Sequence, residues 1–250
     1  SNLQRSNDEL AQFAYIASHD LQEPLRKVRS FAEMLEQSLG ADNINAKIRN
    51  YLDKINNSTS RMSVLIRDVL AYSQLSRENI VFEPVDLRKI IDEIKTDLEL
   101  VIEQKKATIT IGNLPVISAI PLQMSQLFAN LLTNALKFNK PDQLPLIQIN
   151  AKELPIGDVA NTGITSGMDT TYYLLEVTDN GIGFHAENAE QIFNIFQRLH
   201  AKTEYSGTGI GLAICKKIAQ NHNGEIFATS DIGKGATFSI VLPQEQGRGK

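Results

Sequence analysis

His19 lies in the run SHDLQEPLR, on a segment with helical periodicity, and it is a candidate for a reactive imidazole. It follows Ala17, an apolar position, by two residues, so its side chain is rotated about 200° from Ala17 and faces away from the interior. A neutral imidazole has a free ring nitrogen that can act as a nucleophile. Asp20 can hold the other ring nitrogen and fix the tautomer. By itself, a surface histidine without chemistry is the commoner interpretation.

A second polar group, in NLLTNALKF, falls on a predicted helix. Asn130 and Asn134 are four residues apart, and Lys137 and Phe138 follow within one further turn, so the group shares a face. Amide oxygens are hard ligands suited to Mg²⁺, which takes its other ligands from water and nucleotide phosphates. Lys137 can neutralise phosphate charge, and Phe138 can cover a base. Two buried amides that tie a helix to a loop would explain the segment equally well.

The run EVTDNGIGF places a carboxylate where a predicted strand enters a turn. Asp179 ends the strand, and Gly181 and Gly183 follow in the turn. A carboxylate at the bottom of a pocket can accept a hydrogen bond from an exocyclic amine such as adenine N6, and glycines let the backbone approach a flat ring. By itself, Asp-Asn-Gly is more often a plain turn.

A glycine-rich run, SGTGIGLAI, opens a predicted helix with Gly207, Thr208, Gly209 and Gly211. Successive backbone N–H groups at the start of a helix can hold phosphate. A dinucleotide-binding fold would need a strand directly before this run. The preceding residues are the polar HAKTEYS, so that fold is rejected.

The segment between these glycine-rich runs, from His185 to Ser206, has the character of a mobile lid. It contains Ile192, Phe193 and Phe196, whose apolar side chains are expected to dock on another group. Lids of this kind close over a bound substrate.

Two regions of different texture must position these residues. The first eighty residues contain one Pro and one Gly, at positions 24 and 40, and apolar residues recur there at helical spacing. One stripe runs from Leu10 to Leu35 and a second from Ile44 to Tyr72, which predicts an antiparallel hairpin of two long helices. Because such a hairpin has too little interior to be stable alone, dimerisation into a four-helix bundle is the simplest completion. A plain coiled-coil spacer would fit the same periodicity.

From about residue 80 the pattern predicts an α+β sandwich, with one sheet and helices on one face. Extended segments are expected in IVFEPVDL, ATITIGN, LIQINAKEL, TYYLLEVTDNG, GEIFATS and GATFSIVLP. Helices are expected in LRKIIDEIKTDLELVIEQKK, PLQMSQLFANLLTNALKFN and GLAICKKIAQNHN. The Gly- and Thr-rich stretch PIGDVANTGITSGMD predicts a hairpin loop.

Composition narrows the class of protein. The net charge of −4 argues against a nucleic-acid surface. Cys215 is the single cysteine, so an internal disulfide is impossible, which fits a reducing compartment such as the cytoplasm. The sequence has no apolar run long enough to cross a bilayer, so no membrane contact is expected within this chain. A start inside a helix without Met is expected of a fragment, whose parent would carry any anchor or sensor upstream.

The motifs SHDLQEPLR, NLLTNALKF, DNGIGF, and IFNIFQRL with GTGIGLAI occur in this order over nearly the whole chain. The set closely resembles the histidine kinase superfamily, and SHDLQEPLR resembles the phosphoacceptor box of phytochrome-like and PAS-linked sensor kinases. The resemblance implies a dimerisation and histidine phosphotransfer domain over residues 1–78. It implies an ATP-binding domain over residues 79–243, of the type shared with gyrase, the ninety-kilodalton chaperones and mismatch-repair ATPases. Residues 244–250 are expected to form a disordered tail.

The resemblance also implies roles for individual residues. His19 would be the phosphoacceptor and Asp20 its acidic helper. Asn134 would be the Mg²⁺ ligand, with Asn130 in the same polar cluster. The other matched positions would surround ATP: Lys137 and Arg198 at phosphate, Phe138 at the base or ribose, Asp179 at adenine N6 with Gly181 and Gly183 shaping its pocket, Phe193 and Phe196 in the lid, and Gly207, Thr208, Gly209 and Gly211 along the triphosphate.

Two positions bear on the type of reaction. The related ATPases carry a Glu one turn before the Mg²⁺ asparagine to activate water, whereas this chain has Asn130, which cannot serve as a base. Transfer to a supplied nucleophile is therefore favoured over hydrolysis. Many relatives that dephosphorylate their partner carry Thr or Asn four residues after the histidine. Glu23 occupies that position here, which disfavours phosphatase activity.

The sequence thus predicts a homodimeric sensor kinase core that phosphorylates itself on His19 with ATP and Mg²⁺ and then passes the phosphoryl group to an aspartate of a response regulator. Phosphorylation within one subunit or between two remains open. A nucleotide-hydrolysing ATPase of the same fold is the rival enzyme, and it would release phosphate without His19. A non-catalytic dimerisation module is the rival of another class, and nucleotide binding distinguishes it.

Overall fold

The computed structural model describes residues 2–39, 45–75, 81–159, 164, 170–199 and 207–246, without the side chains of residues 2–20, 156 and 157. The chain divides into two compact units, Ser1–Glu78 and Asn79–Lys250. The described part of the first unit is helical, and that of the second mixes helices and strands.

The first unit is a hairpin of two long helices that pack against each other, α1 over Asn2–Leu39 and α2 over Ala46–Gln74. Pro24 lies inside α1 without ending it. Asn45 caps α2, because its side-chain oxygen accepts a hydrogen bond of 2.9 Å from the Ile48 N–H. The predicted helical hairpin is confirmed. Its loop, which the sequence places near Gly40, lies outside the described residues.

The face of α2 that meets α1 differs from the predicted stripe. Leu52 and Thr59 are the buried described residues of α2. In contrast, Tyr51, Ile55 and Met62, which belong to the predicted stripe, are exposed. Neighbouring residues point about 100° apart on a helix, so α2 carries a second apolar face beside the one that contacts α1.

The second unit contains two sheets. Its strands are Glu83–Asp86 (β1), Thr108–Ile111 (β2), Val116–Ala119 (β3), Leu146–Leu154 (β4), Tyr172–Asp179 (β5), Glu225–Asp231 (β6) and Gly235–Pro243 (β7). Its helices are Leu87–Asp97 (α3), Glu99–Lys105 (α4), Pro121–Lys137 (α5), Ile156–Val159 (α6) and Gly211–Asn221 (α7). One sheet has five strands in the order β2-β4-β5-β7-β6, and the other pairs β1 with β3.

The core lies between the five-stranded sheet and its helices. β2 pairs in parallel with β4, and the other neighbours are antiparallel. Ile147 and Ile149 of β4 and Leu175 and Val177 of β5 are buried in alternating positions, as expected of a sheet with one packed face. α5 packs against α3 on one side and α7 on the other. The predicted α+β sandwich is confirmed.

The opposite face of the sheet is partly covered by the connection from β4 to β5. Val159 of α6 packs with Tyr172 and Val241 in a separate apolar cluster. Tyr172 alternates with the core-facing Leu175 and Val177, so this cluster lies on the other face. The prediction of a bare hairpin loop is therefore wrong in part, because its start forms a helix that buries apolar side chains. Residues 160–163 and 165–169 lie outside the described residues.

Three details of the second unit differ from the sequence predictions. β3 was not predicted, because four residues between Pro115 and Pro121 gain strand pairing only from β1, more than thirty residues upstream. Because β3 pairs with β1, the unit has a second, two-stranded sheet in addition to the single sheet that was predicted. The long helix predicted after Asp86 is broken at Leu98, where α3 ends and α4 begins.

The end of the domain also extends past the predicted boundary at residue 243. The Gln244 N–H donates to the Thr171 carbonyl oxygen at 2.7 Å, and the Gln246 side-chain amide donates to the His222 carbonyl oxygen at 3.1 Å. The predicted disorder of residues 244–250 therefore does not hold for Gln244 and Gln246. Residues 247–250 lie outside the described residues.

Candidate functional site

α5 carries the first group of predicted site residues at the edge of the core. Pro121 occupies its first turn, where a backbone N–H has no helical partner, and its apolar face is buried. Asn130 and Asn134 are half-buried on this helix. Lys137 is its last residue, and Phe138 forms its C-terminal cap. The structure thus brings the whole NLLTNALKF group to the C-terminal half of one helix.

Asp179 is held in the turn that follows β5. One carboxylate oxygen, Oδ1, accepts hydrogen bonds from the Gly181 N–H at 2.8 Å and the Ala236 N–H at 3.4 Å. Burial raises the pKa of the Asp179 carboxyl, and these two backbone bonds and the positive charge of Lys140 counteract the rise. Both hydrogen bonds engage the same oxygen, so Oδ2 is the carboxylate atom that can face a ligand.

Gly181 and Gly183 are required by close backbone approaches in this turn. The Ile182 N–H donates to the Phe138 carbonyl oxygen at 2.9 Å, which ties the turn to the end of α5. A Cβ at Gly181 would collide with that same carbonyl oxygen. Gly183 has φ +65°, in the left-handed region, and a Cβ there would collide with the Asp231 carbonyl oxygen.

Lys137 lies between the end of α5 and the glycine-rich run. Its Nζ is 4.1 Å from the centroid of the Phe138 ring. A Cβ built on Gly207 would stand 2.8 Å from this Nζ, so backbone and ammonium are close neighbours. Burial lowers the pKa of Lys137, and the positive charge of Arg198 lowers it further. Two cations that repel each other in this way form a natural site for a polyanion.

The described part of the predicted lid segment contains one buried and one exposed phenylalanine. Phe193 is buried at the end of a 3-10 turn, whereas Phe196 is 58% exposed. Phe196 also has φ +66°, an uncommon conformation for a bulky residue. Its N–H donates to the Gly209 carbonyl oxygen at 3.0 Å, which closes the base of the lid. Residues 200–206, which follow Phe196 and precede Gly209 in the sequence, lie outside the described residues.

Asn130 faces the helix that follows the glycine-rich run. Its Nδ2 donates to the Gly211 carbonyl oxygen at 3.2 Å, which joins α5 to the first residue of α7. Within the described residues, Asn134 has no such side-chain hydrogen bond, so its amide is available to a ligand. Thr208 precedes this point, and the Ile210 N–H approaches its hydroxyl at 3.4 Å.

His19 and Asp20 lie on α1, in the first unit. Their side chains are outside the described part of the structure. The predicted nucleophile and its acidic helper therefore stay predictions.

Three residues of this region were missed by the sequence reasoning. Ala236 supplies a backbone N–H to Asp179, and no side-chain signal marks it. Asn180 fixes the neighbouring loop, because its amide donates to the Leu144 carbonyl oxygen at 3.0 Å and accepts from the Leu146 N–H at 2.8 Å. The third residue is Lys140, whose positive charge lowers the pKa of Asp179. A cation directly after NLLTNALKFN was the available signal for it.

The donor set fits a magnesium ion that is bound mainly through nucleotide phosphate. Among the residues that the structure describes, no group of three or more His, Cys, Asp or Glu side chains is arranged to hold a metal. Mg²⁺ commonly takes only one or two protein ligands and completes its shell with phosphates and water. The available amide oxygen of Asn134 is suited to that arrangement. In the described part of the chain, no helix is long and apolar enough to span a membrane.

Two family models match the chain. The model for the "His Kinase A (phospho-acceptor) domain" matches residues 9–78. The model for the "Histidine kinase-, DNA gyrase B-, and HSP90-like ATPase" matches residues 119–246.

Curated relatives extend the similarity over almost the whole chain. Cyanobacterial phytochrome A from Nostoc sp. (strain PCC 7120 / SAG 25.82 / UTEX 2576) is 40% identical over 242 residues, which cover 97% of this chain and 29% of that protein. Sensor protein kinase WalK from Staphylococcus aureus is 31% identical over 250 residues, which cover 97% of this chain and 55% of that protein. The chain thus spans less than two thirds of either relative.

Solved structures share the fold. The crystal structure of full-length ShkA in complex with AMPPNP matches with a TM-score of 0.67 at 23% identity, over 93% of this chain and 45% of that one. Acinetobacter baumannii histidine kinase AdeS matches with a TM-score of 0.59 at 15% identity, over 90% of this chain and 98% of that one.

Proposed function

Because this chain belongs to the sensor histidine kinase family, we propose that it transfers the γ-phosphoryl group of ATP to His19. The relatives are longer than this chain, so the activity that this chain would have within a longer protein is also a proposal. The proposal divides the work between the two units. The hairpin supplies the nucleophile, and the α/β unit supplies the nucleotide.

The observation that carries the proposal is the meeting of two unlike environments at the end of α5. On one side, Phe138 contacts the Asp179 turn through its carbonyl oxygen and the Ile182 N–H. On the other, Lys137 lies beside Gly207. The half-buried carboxylate of Asp179 thus lies on one side of the end of α5, and Lys137 and Gly207 lie on the other. Recognition of a base and its phosphates requires such a pair of environments.

The proposed roles follow this geometry. Oδ2 of Asp179 would accept from adenine N6, and its other oxygen is already held by Gly181 and Ala236. Gly183 would keep the floor of the base pocket open. Lys137 would bind phosphate, beside the Phe138 ring, which would cover the base or ribose.

The lid would close the phosphate end of the site. Phe193 anchors its start, and Phe196 fastens its base to Gly209 through a backbone hydrogen bond. Arg198 would then reach the γ-phosphate from within the lid. The run of Gly207, Thr208, Gly209 and Gly211 would line the triphosphate with backbone N–H groups.

Asn134 would hold Mg²⁺, which when bound would neutralise charge on the phosphates. The nucleophilic step belongs to His19. A lone pair on its imidazole forms the bond to the γ-phosphorus as the bond from phosphorus to the β,γ-bridging oxygen breaks, and ADP leaves with that electron pair. Asp20 would hold the proton on the other ring nitrogen. Positioning and charge neutralisation supply most of the acceleration.

The same geometry opposes hydrolysis as the main activity. In the related ATPases a glutamate at the position of Asn130 activates water, and here the Asn130 amide instead donates to the Gly211 carbonyl oxygen. An amide has no basic lone pair for this task. The phosphohistidine is therefore proposed to pass its phosphoryl group to an aspartate of a response regulator, and Glu23 gives no support to the reverse, phosphatase reaction.

A homodimer is the proposed state of the protein. Leu21, Val28 and Leu35 of the predicted α1 stripe are exposed in the single chain, and so are Tyr51 and Ile55 of α2. Burying such surfaces against a second hairpin would complete a four-helix bundle.

Labelling with γ-labelled ATP tests the proposal. The full chain should gain an acid-labile phosphate, and His19→Gln should gain none while it keeps wild-type affinity for ATP. Asp97→Asn, at the exposed end of α3, is the control and should be labelled normally. Labelling of His19→Gln at the wild-type rate would show that another residue is the acceptor. Phosphate release that survives in this variant would favour the ATPase.

A further inference from the structure

His222 is a fully buried histidine outside the nucleotide site, at the C-terminal end of α7. Both of its ring nitrogens have backbone partners. Nδ1 lies 2.8 Å from the Ile218 carbonyl oxygen, and Nε2 lies 3.0 Å from the Ile120 backbone nitrogen. The ring therefore links the last turn of α7 to the residue that precedes α5.

These partners determine the protonation state of the ring. A carbonyl oxygen can only accept a hydrogen bond, so Nδ1 must carry a proton. A backbone N–H can only donate, so Nε2 must be unprotonated. The geometry is satisfied by one neutral tautomer, and a proton added to Nε2 would point at the Ile120 N–H.

The hydrogen bond between Ile120 and His222 lies at the start of α5, where the backbone N–H groups have few other partners. Ile120 is the N-cap of the helix and has no side-chain capping bond, and Pro121 has no N–H to contribute. The His222 ring is thus the partner that the structure shows for the N–H at the entrance to α5. Loss of this partner would leave a backbone donor unsatisfied and free the first turn to move.

The ends of the domain also meet at this residue. The ring of Phe82, which follows the segment between the two units, contacts the His222 ring edge-on with centroids 5.3 Å apart. The His222 carbonyl oxygen accepts from the Gln246 amide, which also donates to the Ser118 carbonyl oxygen at 3.3 Å. A change at His222 would therefore be felt by α5, α7 and both ends of the described domain.

We propose that His222 is a positioning residue, whose neutral ring holds the start of α5 against the end of α7, and that protonation of this ring weakens nucleotide binding. The link to the nucleotide rests on the proposed function, because Asn134 and Lys137 lie on α5 and Gly211 begins α7. The linkage of ring, Ile120 and Ile218 does not depend on it.

Electrostatic surroundings favour the neutral ring. Burial lowers the pKa of His222, and the Ile218 carbonyl partly counteracts this. The elements around the ring carry Glu83 after Phe82, Lys217 on α7 and Glu245 before Gln246, while α5 has no charged residue before Lys137. Burial and the Ile218 carbonyl are the causes of the pKa shift, and none of these charges is among them. Arg77 and Glu78 lie outside the described residues.

The sign of the effect follows from the lowered pKa. The unfolded chain takes up a proton at His222 near pH 6.5, whereas the folded domain resists it. The stability contributed by the neutral ring is thus complete above pH 6.5 and falls as the pH drops through the folded pKa. Nucleotide affinity should fall only as the pH drops through the folded pKa, because the folded ring takes up its proton there and α5 loses its anchor.

Two substitutions separate the ring's hydrogen bonds from its titration. His222→Gln keeps one donor and one acceptor but cannot take up a proton near neutral pH. His222→Phe keeps an aromatic ring but has neither. The wild type is the reference for both. All are measured in the full chain for AMPPNP affinity by calorimetry and for Ile120 amide hydrogen exchange, from pH 7.5 down to the lowest pH at which the wild type stays folded.

The wild type should lose about fivefold more affinity than His222→Gln between pH 7.5 and the lowest pH of the series, as expected for one hydrogen bond. The comparison cancels the titration of the nucleotide itself. His222→Phe should bind weakly at both pH values. The protection of the Ile120 amide, taken relative to its intrinsic exchange rate at each pH, should fall at low pH in the wild type and be low at all pH values in His222→Phe.

Equal pH dependence in wild type and His222→Gln would overturn the link to nucleotide binding. An Ile120 protection factor that is the same in His222→Phe as in the wild type would overturn the anchor itself. If the variants do not fold, the imidazole nitrogen shifts of wild-type His222 decide, since a proton found on Nε2 at pH 7.5 contradicts the proposal. Should the chain bind no nucleotide, the proposed function fails, while the exchange of Ile120 still supports or refutes the anchor.

Discussion

The two units of this chain bury apolar surface to very different extents. In the described hairpin, Ala32, Leu52 and Leu75 are the buried apolar residues. Many of its large apolar side chains are exposed, including Leu21, Val28, Phe31, Met34, Leu35, Tyr51, Ile55, Met62 and Val64. The α/β unit instead has a continuous core between its sheet and helices, in which α5 alone buries seven residues.

This difference matches the work that each unit is proposed to do. A nucleotide site needs side chains held within a fraction of an ångström, which a self-sufficient core provides. A hairpin that exposes apolar stripes needs a partner, so its stability depends on protein concentration. The unit with the rigid site would fold alone, and the unit with His19 would be completed by a second copy.

The largest expected effect is on assembly. Leu35→Glu places a charge on the exposed apolar face of α1, where a dimer would bury it without a partner at a cost of about 3–5 kcal/mol. The full chain should become monomeric by light scattering, with unchanged nucleotide affinity. Gln37→Glu adds the same charge at an exposed polar position two residues away, and it should remain dimeric. Dimerisation of both variants would mean that this face is not the interface.

The next effect concerns the base pocket of the α/β unit. Asp179→Asn keeps an acceptor for Gly181 and Ala236 but removes the charge that would bind adenine N6. Affinity for ATP should fall roughly 10- to 100-fold by calorimetry, since hydrogen bonds to charged groups are worth about 1.5–3 kcal/mol. Asp97→Asn, at the exposed end of α3, should bind normally. Wild-type affinity in Asp179→Asn would show that Asp179 does not bind adenine. The mass of the dimer in light scattering should be the same in both variants.

The same variant should have the opposite effect on the stability of the empty domain. The folded pKa of Asp179 is raised by burial, so the wild type is stabilised at low pH and loses that stability as pH rises through the folded pKa. Asparagine carries no such charge. Asp179→Asn should therefore melt roughly 2–4 °C higher at pH 8, with no advantage near pH 3.5. A lower melting temperature at pH 8 would show that the charge stabilises the folded state.

The smallest effect tests whether the hairpin interior is complete in one chain. Among the described residues, Asn56 Oδ1 is the buried side-chain oxygen without a hydrogen-bond partner. Asn56→Leu should raise the free energy of opening of α2, measured by hydrogen exchange, by about 1 kcal/mol more than Asn57→Leu does. Both substitutions gain helix propensity, but only the first removes a buried unpaired oxygen. No advantage for Asn56→Leu would indicate that a second copy supplies the missing partner.

Much of the fold could be predicted because its signals are local. The strand LIQINAKEL and the helix that carries Asn134 follow from periodicity, turn residues and Pro121. β3 could not, because Val116–Ala119 is a strand only through its pairing with β1. The face of α2 that meets α1 could not be predicted either, since Tyr51 and Leu52 are both apolar and periodicity alone does not say which one is buried.

The sequence by itself determined which chemical groups are present and in which order: an imidazole followed by a carboxylate, amides one turn apart, and glycines around an acceptor. These are properties of residue type and spacing, and they were sufficient to identify the family. Only the tertiary structure decided which groups meet. Asp179 receives its second hydrogen bond from Ala236, Asn130 turns to Gly211, and His222 reaches Ile120. Each of these contacts joins segments more than fifty residues apart, and such distances are closed by packing of the whole core rather than by any local preference.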